Sequence, residues 1–339
     1  MPDGSPVDLF RLSNSTGTTV ELITYGAIIH RLLLPDRTGN VADVVLGQDS
    51  LKNYLSTPNC SGAFIGRVAN RISGASFRVG DNEYSLDKNY GEDTLHGGIG
   101  NYGKMNFTGT ICQTDAGAGV TMTLSDSGVG GFPGTMEVSV TYTLDDANNF
   151  RLVYETTPEM DTPISFTNHV YFNLAGHDSG SVGGHIAQFD ADFITPNDSR
   201  GMPTGEIKAV KGTDFDYTSP RPLQDGFDSE DPLLVQFGGF DINYCVRGRD
   251  MRRFGSVTDP LSGRSVEVFS DLPGLQLYAA TNLRDDCPGK NGAVYQKRHA
   301  FCLETQHYPN AVNLSQFPSP IAPGGVPYRT ETVYRFGAK

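Results

Sequence analysis

No apolar run in this sequence approaches the ~20 residues needed to cross a bilayer, and Met1 to Val7 has neither the basic nor the apolar stretch of a secretory leader. A soluble, cytosolic protein with no membrane partner is expected. Without secretion, the Asn-x-Ser/Thr triplets at Asn14, Asn59, Asn106, Asn197 and Asn313 are chance matches. Cysteine is scarce as well: Cys60, Cys112, Cys245, Cys287 and Cys302 are odd in number, widely spaced and never Cys-x-x-Cys. That pattern signals neither a disulfide framework nor a zinc ribbon, and free thiols are expected.

Basic residues are also in deficit. With 26 Lys and Arg against 39 Asp and Glu, the formal charge of −13 disfavours a nucleic-acid partner, which needs a basic face. One local exception is the cluster Arg247, Arg249, Arg252 and Arg253 around Asp250, readable as a sugar-phosphate cradle or as a solvated turn. Gly-x-Ser-x-Gly is absent, and no P-loop or Gly-x-Gly-x-x-Gly opens a βαβ unit, so no nucleotide cofactor is implied. His-x-x-x-His and similar short spacings are missing, so no metal is implied. Nothing marks an obligatory protein partner.

Helical signals are few. No segment of twelve or more residues carries apolar positions at i, i+3, i+4 and i+7 between proper caps, so helices should be few and short. Period-two alternation is present instead: Met136, Val138, Val140, Tyr142 and Leu144 alternate with Glu137, Ser139, Thr141 and Thr143, as a half-buried antiparallel strand requires. Val20–Leu34, Phe150–Thr156, Val266–Ser270 and Leu275–Ala280 read as further strands, rich in β-branched and aromatic residues. The 40 glycines and 20 prolines are spread along the chain and form no linker, which predicts one all-β domain over residues 1–339.

Polar clusters interrupt these apolar strands. Asn70 and Arg71, in Gly66–Ile72, offer a planar amide and a five-donor guanidinium suited to sugar hydroxyls; a structural salt bridge would look the same. In Leu95-His96-Gly97-Gly98 the two glycines remove bulk beside an imidazole, so a ligand could approach it, although a structural histidine is the plain alternative. Thr167–Leu174 places His169 and Tyr171 on one strand face and Asn168 on the other, and His169 is a candidate proton donor. In Phe301–His307, Glu304 ends an apolar run; burial would raise its pKa and make it a competent base, or it merely pairs with an arginine. Asp241, in Gly238–Tyr244, is readable as a turn cap.

Taken together and in order, these segments resemble the aldose 1-epimerase (galactose mutarotase) family across nearly the whole chain. The resemblance rests on Gly66–Ile72, Leu95–Gly98, Gly131-Phe132-Pro133-Gly134, Thr167–Gly176 and Phe301–Asn313, with Thr24-Tyr25-Gly26-Ala27 and Pro323-Gly324 near the two ends. It implies a large antiparallel β-sandwich with few short helices, acting on a free sugar such as galactose or glucose without cofactor or metal. It further implies Glu304 as general base, His169 as general acid, and Asn70, Arg71, His96, Asp241 and Gln276 as holders of sugar hydroxyls and the ring oxygen. Two departures touch the pocket rim: the chain has no tryptophan, with Tyr102 and Phe107 after His96 where the family often has one, and Ile242 follows Asp241 where the family often has histidine. A glycoside hydrolase using Glu304 and Asp241, a hexose-6-phosphate epimerase using the arginine cluster, and a non-catalytic sugar-binding protein are the alternatives built from the same residues.

Overall fold

The computed structural model describes residues 1–57, 59–283 and 289–338; Cys287 lies outside them. Two antiparallel sheets dominate. The larger has nine strands in the order Thr108–Thr114, Gly117–Asp126, Met136–Leu144, Asn149–Thr156, Tyr328–Ala338, Arg264–Ser270, Arg252–Thr258, Ile186–Phe189 and Arg221–Pro222. The smaller has five, in the order Lys208–Ala209, Ala191–Thr195, Asp241–Val246, Gly274–Tyr278 and Cys302–Gln306. A four-stranded sheet spans Leu9 to Asp43, and the described helices of α type are only Leu51–Ser56, Leu223–Phe227 and Pro232–Phe237. The expected β-sandwich with few short helices is what the chain forms.

The alternation of Met136–Leu144 is realised on the core side, where Met136, Val138, Val140, Tyr142 and Leu144 are all buried. Glu137 is exposed on the other face, but Thr143 is buried as well. One cluster of buried apolar residues joins the sheets, drawing Leu275, Leu277 and Leu303 from the small sheet and Val266, Val268 and Tyr334 from the large one. Tyr334 ties the layers directly, its hydroxyl donating to the Leu303 carbonyl at 3.0 Å.

The expected single strand Val20–Leu34 is instead two, Thr19–Ile23 and Ile28–Pro35, paired as a hairpin. Residues 24–27 form the turn, with Gly26 at φ 63° and Ala27 at φ 47°. A side chain at Gly26 would place its Cβ 2.6 Å from the Gly103 carbonyl oxygen, so only glycine fits. Apolar character alone does not register such a reversal.

Arg67 joins two of the segments singled out in the sequence, Gly66–Ile72 and Gly131–Gly134, in one buried network. Its side chain is 1% exposed and pairs with Asp126 at 2.8 Å, while its guanidinium also donates to the carbonyls of Pro133 (2.6 Å) and Gly134 (3.1 Å) and to Thr162 Oγ1 (3.1 Å). Asp126 in turn accepts from the Tyr102 hydroxyl at 2.5 Å and from the backbone N–H groups of Gly128 and Val129. The Gly131–Gly134 segment is therefore an acceptor for Arg67, and this anchors the chain that runs on into Asn70 and Arg71. Removing one partner leaves a buried charge without compensation. Asp126→Ala should lower the unfolding free energy by about 3–5 kcal/mol, read as a shifted midpoint in urea or guanidinium chloride.

Candidate active site

Three strands of the five-stranded sheet, Asp241–Val246, Gly274–Tyr278 and Cys302–Gln306, are buried on both faces, and the two faces differ in chemistry. Register places Asn243 opposite Gln276 and Gln276 opposite Glu304, so these side chains share a face with Asp241 two residues before Asn243. Tyr278, Cys302 and Gln306 join them by the same alternation. Ile242, Tyr244, Leu275, Leu277 and Leu303 point the other way, into the core. The polar face forms the floor of a pocket of about 650 Å³. All seven residues expected at the site, Asn70, Arg71, His96, His169, Asp241, Gln276 and Glu304, line that one pocket.

Asp241 is the hub of the floor. One carboxylate oxygen pairs with Arg71 Nη2 at 3.2 Å, the other accepts from Gln276 Nε2 at 2.6 Å, and the backbone carbonyl accepts from Asn197 Nδ2 at 2.9 Å. Gln306 continues the chain of amides, its Nε2 donating to Gln276 Oε1 (3.1 Å) and Asn243 Oδ1 (3.2 Å). Burial opposes the charge on Arg71, but Asp241 and Tyr90 outweigh it and hold the guanidinium pKa above its ordinary value. Tyr90 also covers one guanidinium face at 4.9 Å. Among the described residues Nε of Arg71 has no hydrogen-bond partner, so a donor remains in the buried wall.

Asn70 and His96 hold each other in backbone conformations that side chains seldom adopt, with φ of 61° and 52°. The N–H of Asn70 donates to His96 Nδ1 at 3.2 Å, and the N–H of His96 donates to the Asn70 carbonyl at 2.8 Å. The glycines after His96 serve a different end from the one their sequence suggests. A Cβ at Gly97 would lie 2.2 Å from the Gly66 carbonyl oxygen, and one at Gly98 would press on Asp87, so they are required for backbone packing and not for ligand access.

His169 follows the two-residue strand Thr167–Asn168, and its ring stacks on Tyr171 at 4.9 Å and 15°, which fits their expected common face. Asn168, on the other side, donates to the Gly62 carbonyl and is structural. Nε2 of His169 lies 3.6 Å from Glu304 Oε1, and Nδ1 lies 3.5 Å from Cys302 Sγ. Burial pushes the His169 pKa down to about 4, against a smaller upward pull from its own backbone and from Asp241. Burial drives Glu304 the other way, well above the carboxylate range; Asp241 adds to this and Arg71 opposes it. Oε2 of Glu304 has no hydrogen-bond partner among the described residues.

Sequence reasoning missed Tyr90, Tyr278, Asn243, Gln306 and Asn197, and it placed Tyr171 on the face of His169 without giving it a role at the site. The signal for three of them was present as period two: Asp241-x-Asn243, Gln276-x-Tyr278 and Glu304-x-Gln306 each repeat a polar residue on one face of a strand whose other face is apolar.

The aldose 1-epimerase family profile matches residues 8–335. The chain belongs to the aldose 1-epimerase family. It is 38% identical over 335 residues to galactose mutarotase from Homo sapiens, covering 98% of this chain and 95% of that one. It is 31% identical over 343 residues to aldose 1-epimerase from Escherichia coli strain K12, covering 100% and 97%. In fold it resembles the crystal structure of an aldose epimerase homologue from C. elegans, with a TM-score of 0.90, 28% identity and coverage of 98% and 99%.

Within this pocket, His96, His169 and Glu304 bring potential ligand atoms within 4.8 Å of one another. The hydrogen bonding does not suit a metal ion. Nδ1 of His96 accepts a backbone N–H, so the neutral ring carries its proton on Nε2 and presents a donor, not a lone pair, to the pocket. Burial, His169 and Arg71 together depress the His96 pKa well below its ordinary value, which keeps the ring neutral. In the free protein at pH 7, long-range ¹H–¹⁵N spectra should show His96 neutral with its proton on Nε2, and still neutral where an ordinary imidazole is half protonated. A protonated ring at pH 6, or a proton on Nδ1 alone, would overturn this assignment.

Proposed function

We propose that this chain is an aldose 1-epimerase that interconverts the α and β anomers of a free hexose, galactose or glucose, by opening and reclosing the pyranose ring. One observation carries the reading: Glu304 and His169, both buried, face each other at 3.6 Å in a pocket whose remaining polar groups are donors and acceptors matched to hydroxyls. Opening the ring requires a proton to leave the anomeric hydroxyl while another reaches the ring oxygen. Glu304 takes the first and Nε2 of His169 supplies the second. Rotation about C1–C2 then presents the other carbonyl face, and closure runs with the roles reversed.

The proton count of the pair explains why two depressed charges suit this task. Without sugar, burial favours a neutral imidazole beside a protonated carboxyl, not the imidazolium expected of a general acid. Moving that proton to His169 gives an imidazolium–carboxylate pair of the same net charge. Ring opening starts from the ion pair and ends on the neutral pair, so the two protonation states of the site are the two ends of the reaction. Each carrier contributes roughly 10²- to 10⁴-fold. Arg71, Asn70, His96, Asp241 and Gln276 orient the sugar by fixed hydrogen bonds.

The rival readings find less support. Asp241 spends its oxygens on Arg71 and Gln276, which leaves it no role as the second carboxylate of a glycosidase. In the arginine cluster, Arg247 pairs with Asp192 through two bonds of 2.6 Å, Arg253 with Asp190 and Glu267, and Arg252 donates to backbone carbonyls, so three of the four arginines have donors committed within the protein and Arg249 is exposed. We also read the chain as one domain, 1–339, which the shared core supports, and as cytosolic. No described helix is long and apolar enough to cross a membrane, and Cys60, Cys112, Cys245 and Cys302 are free thiols.

Polarimetry of freshly dissolved α-D-galactose and α-D-glucose tests the reading. The protein should accelerate relaxation to the anomeric equilibrium, and His169→Asn should abolish the acceleration. Glu304→Gln should keep sugar affinity within a few-fold while lowering turnover by roughly 10²-fold or more. Normal turnover in Glu304→Gln would remove Glu304 as the base, and no acceleration by the wild type with either sugar would reject the activity.

A further inference from the structure

Beside the sugar pocket lies a fully buried cation that the proposed chemistry does not use. Lys290 has 0% of its side chain exposed, and its ammonium donates to Asp43 Oδ2 and to the Val45 carbonyl, both at 2.8 Å. Burial lowers its pKa, and Asp43 opposes the shift. An ammonium without solvent is costly to keep, so an apolar side chain would be the cheaper filling for this space. Its reach is what distinguishes it.

Lys290 opens a single short turn, Lys290–Gly292, closed by bonds from Gly289 N to Ala293 O (2.7 Å) and from Ala293 N to Lys290 O (3.0 Å). Three residues further on, Tyr295 lines the pocket. The two are joined directly, because the backbone N–H of Lys290 donates to the Tyr295 hydroxyl at 3.3 Å, and that hydroxyl also meets His177 Nδ1 at 3.0 Å. A second tie lies alongside: the N–H of Asn291 donates to both carboxylate oxygens of Asp49, at 2.9 and 2.8 Å. The segment on the receiving side runs from Asp43 to Asp49 and into Ser50, which caps the helix Leu51–Ser56. Gln48 of this segment, with Asn53 and Ser56 of the helix, lines the same pocket. Between the two sides Gly47 leaves no slack, since a Cβ there would lie 2.6 Å from the Tyr54 hydroxyl and 2.7 Å from Lys290 Cε.

We propose that Lys290 is a positioning residue for the sugar site: its buried ammonium fastens the turn that carries Tyr295 to the strand end and helix that line the same pocket, and so fixes the shape of this part of its wall. This rests on the reading of the pocket as a sugar site. Lys290 touches neither Glu304 nor His169, so its loss should weaken sugar binding while leaving the proton-transfer pair intact.

The test is a pair of variants assayed by polarimetry on galactose, below the thermal midpoint of each. Lys290→Met should raise KM about fivefold or more with kcat within about twofold, the split expected when binding common to ground and transition states is lost. Asp49→Ala removes an exposed carboxylate, is not expected to endanger folding, and should raise KM in the same sense by about twofold or more. If Lys290→Met does not fold, Asp49→Ala decides alone. KM within error of wild type in the folded variants, or a fall in kcat with KM unchanged, overturns the positioning role. An inactive wild type would instead sink the epimerase reading, so the two failures are distinguishable.

Discussion

A polar surface that is buried must satisfy its own donors and acceptors, and the remainder of this site follows from how the five-stranded sheet meets that demand. Its pocket face carries Asp241, Asn243, Gln276, Glu304 and Gln306 where a sandwich would otherwise place a second apolar layer. Asp241 accepts from Arg71 and Gln276, Gln276 accepts from Gln306, and Gln306 reaches Asn243. Few of these groups retain freedom to rotate, because each bond formed by one is needed by another. The network is thus a rigid template of oriented dipoles assembled before any ligand arrives.

Two unsatisfied atoms stand out at the pocket: among the described residues, Oε2 of Glu304 and Nε of Arg71 are buried without hydrogen-bond partners. A buried polar atom left alone costs on the order of 1–3 kcal/mol, so the fold carries that strain in the free state and a hydroxyl-bearing ligand relieves it. The left-handed backbone at Asn70 and His96 is a second local cost in the same few ångströms. At these positions stability is given up where the pocket presents groups aimed at something other than the protein.

The legible part of this molecule was that which follows from periodicity and residue chemistry. The strand Met136–Leu144 was readable to the residue because one face meets the core and the other solvent. The seven pocket residues were readable as a set only through the resemblance, since each alone has an ordinary structural explanation. Long-range closures stayed hidden. Nothing near Arg67 in sequence marks Asp126 or Pro133 as its partners, and nothing near Gly97 says that its missing side chain makes way for Gly66. The turn at Gly26 was missed for the same reason, because the atom it avoids belongs to Gly103.

The order of strands in the large sheet bears on how the chain is made. Tyr328–Ala338 lies between Asn149–Thr156 and Arg264–Ser270, near the middle of nine strands, yet it leaves the ribosome after every other strand of its sheet. Until it emerges, the strands from 108 to 156 and those from 186 to 270 are two separate ribbons, each presenting an open edge where its central partner belongs. The nascent chain therefore passes through a state with two complementary edges awaiting the same strand. Open edges of this kind are templates for pairing with another chain, and the finished sandwich removes them by seating its last strand between the two ribbons.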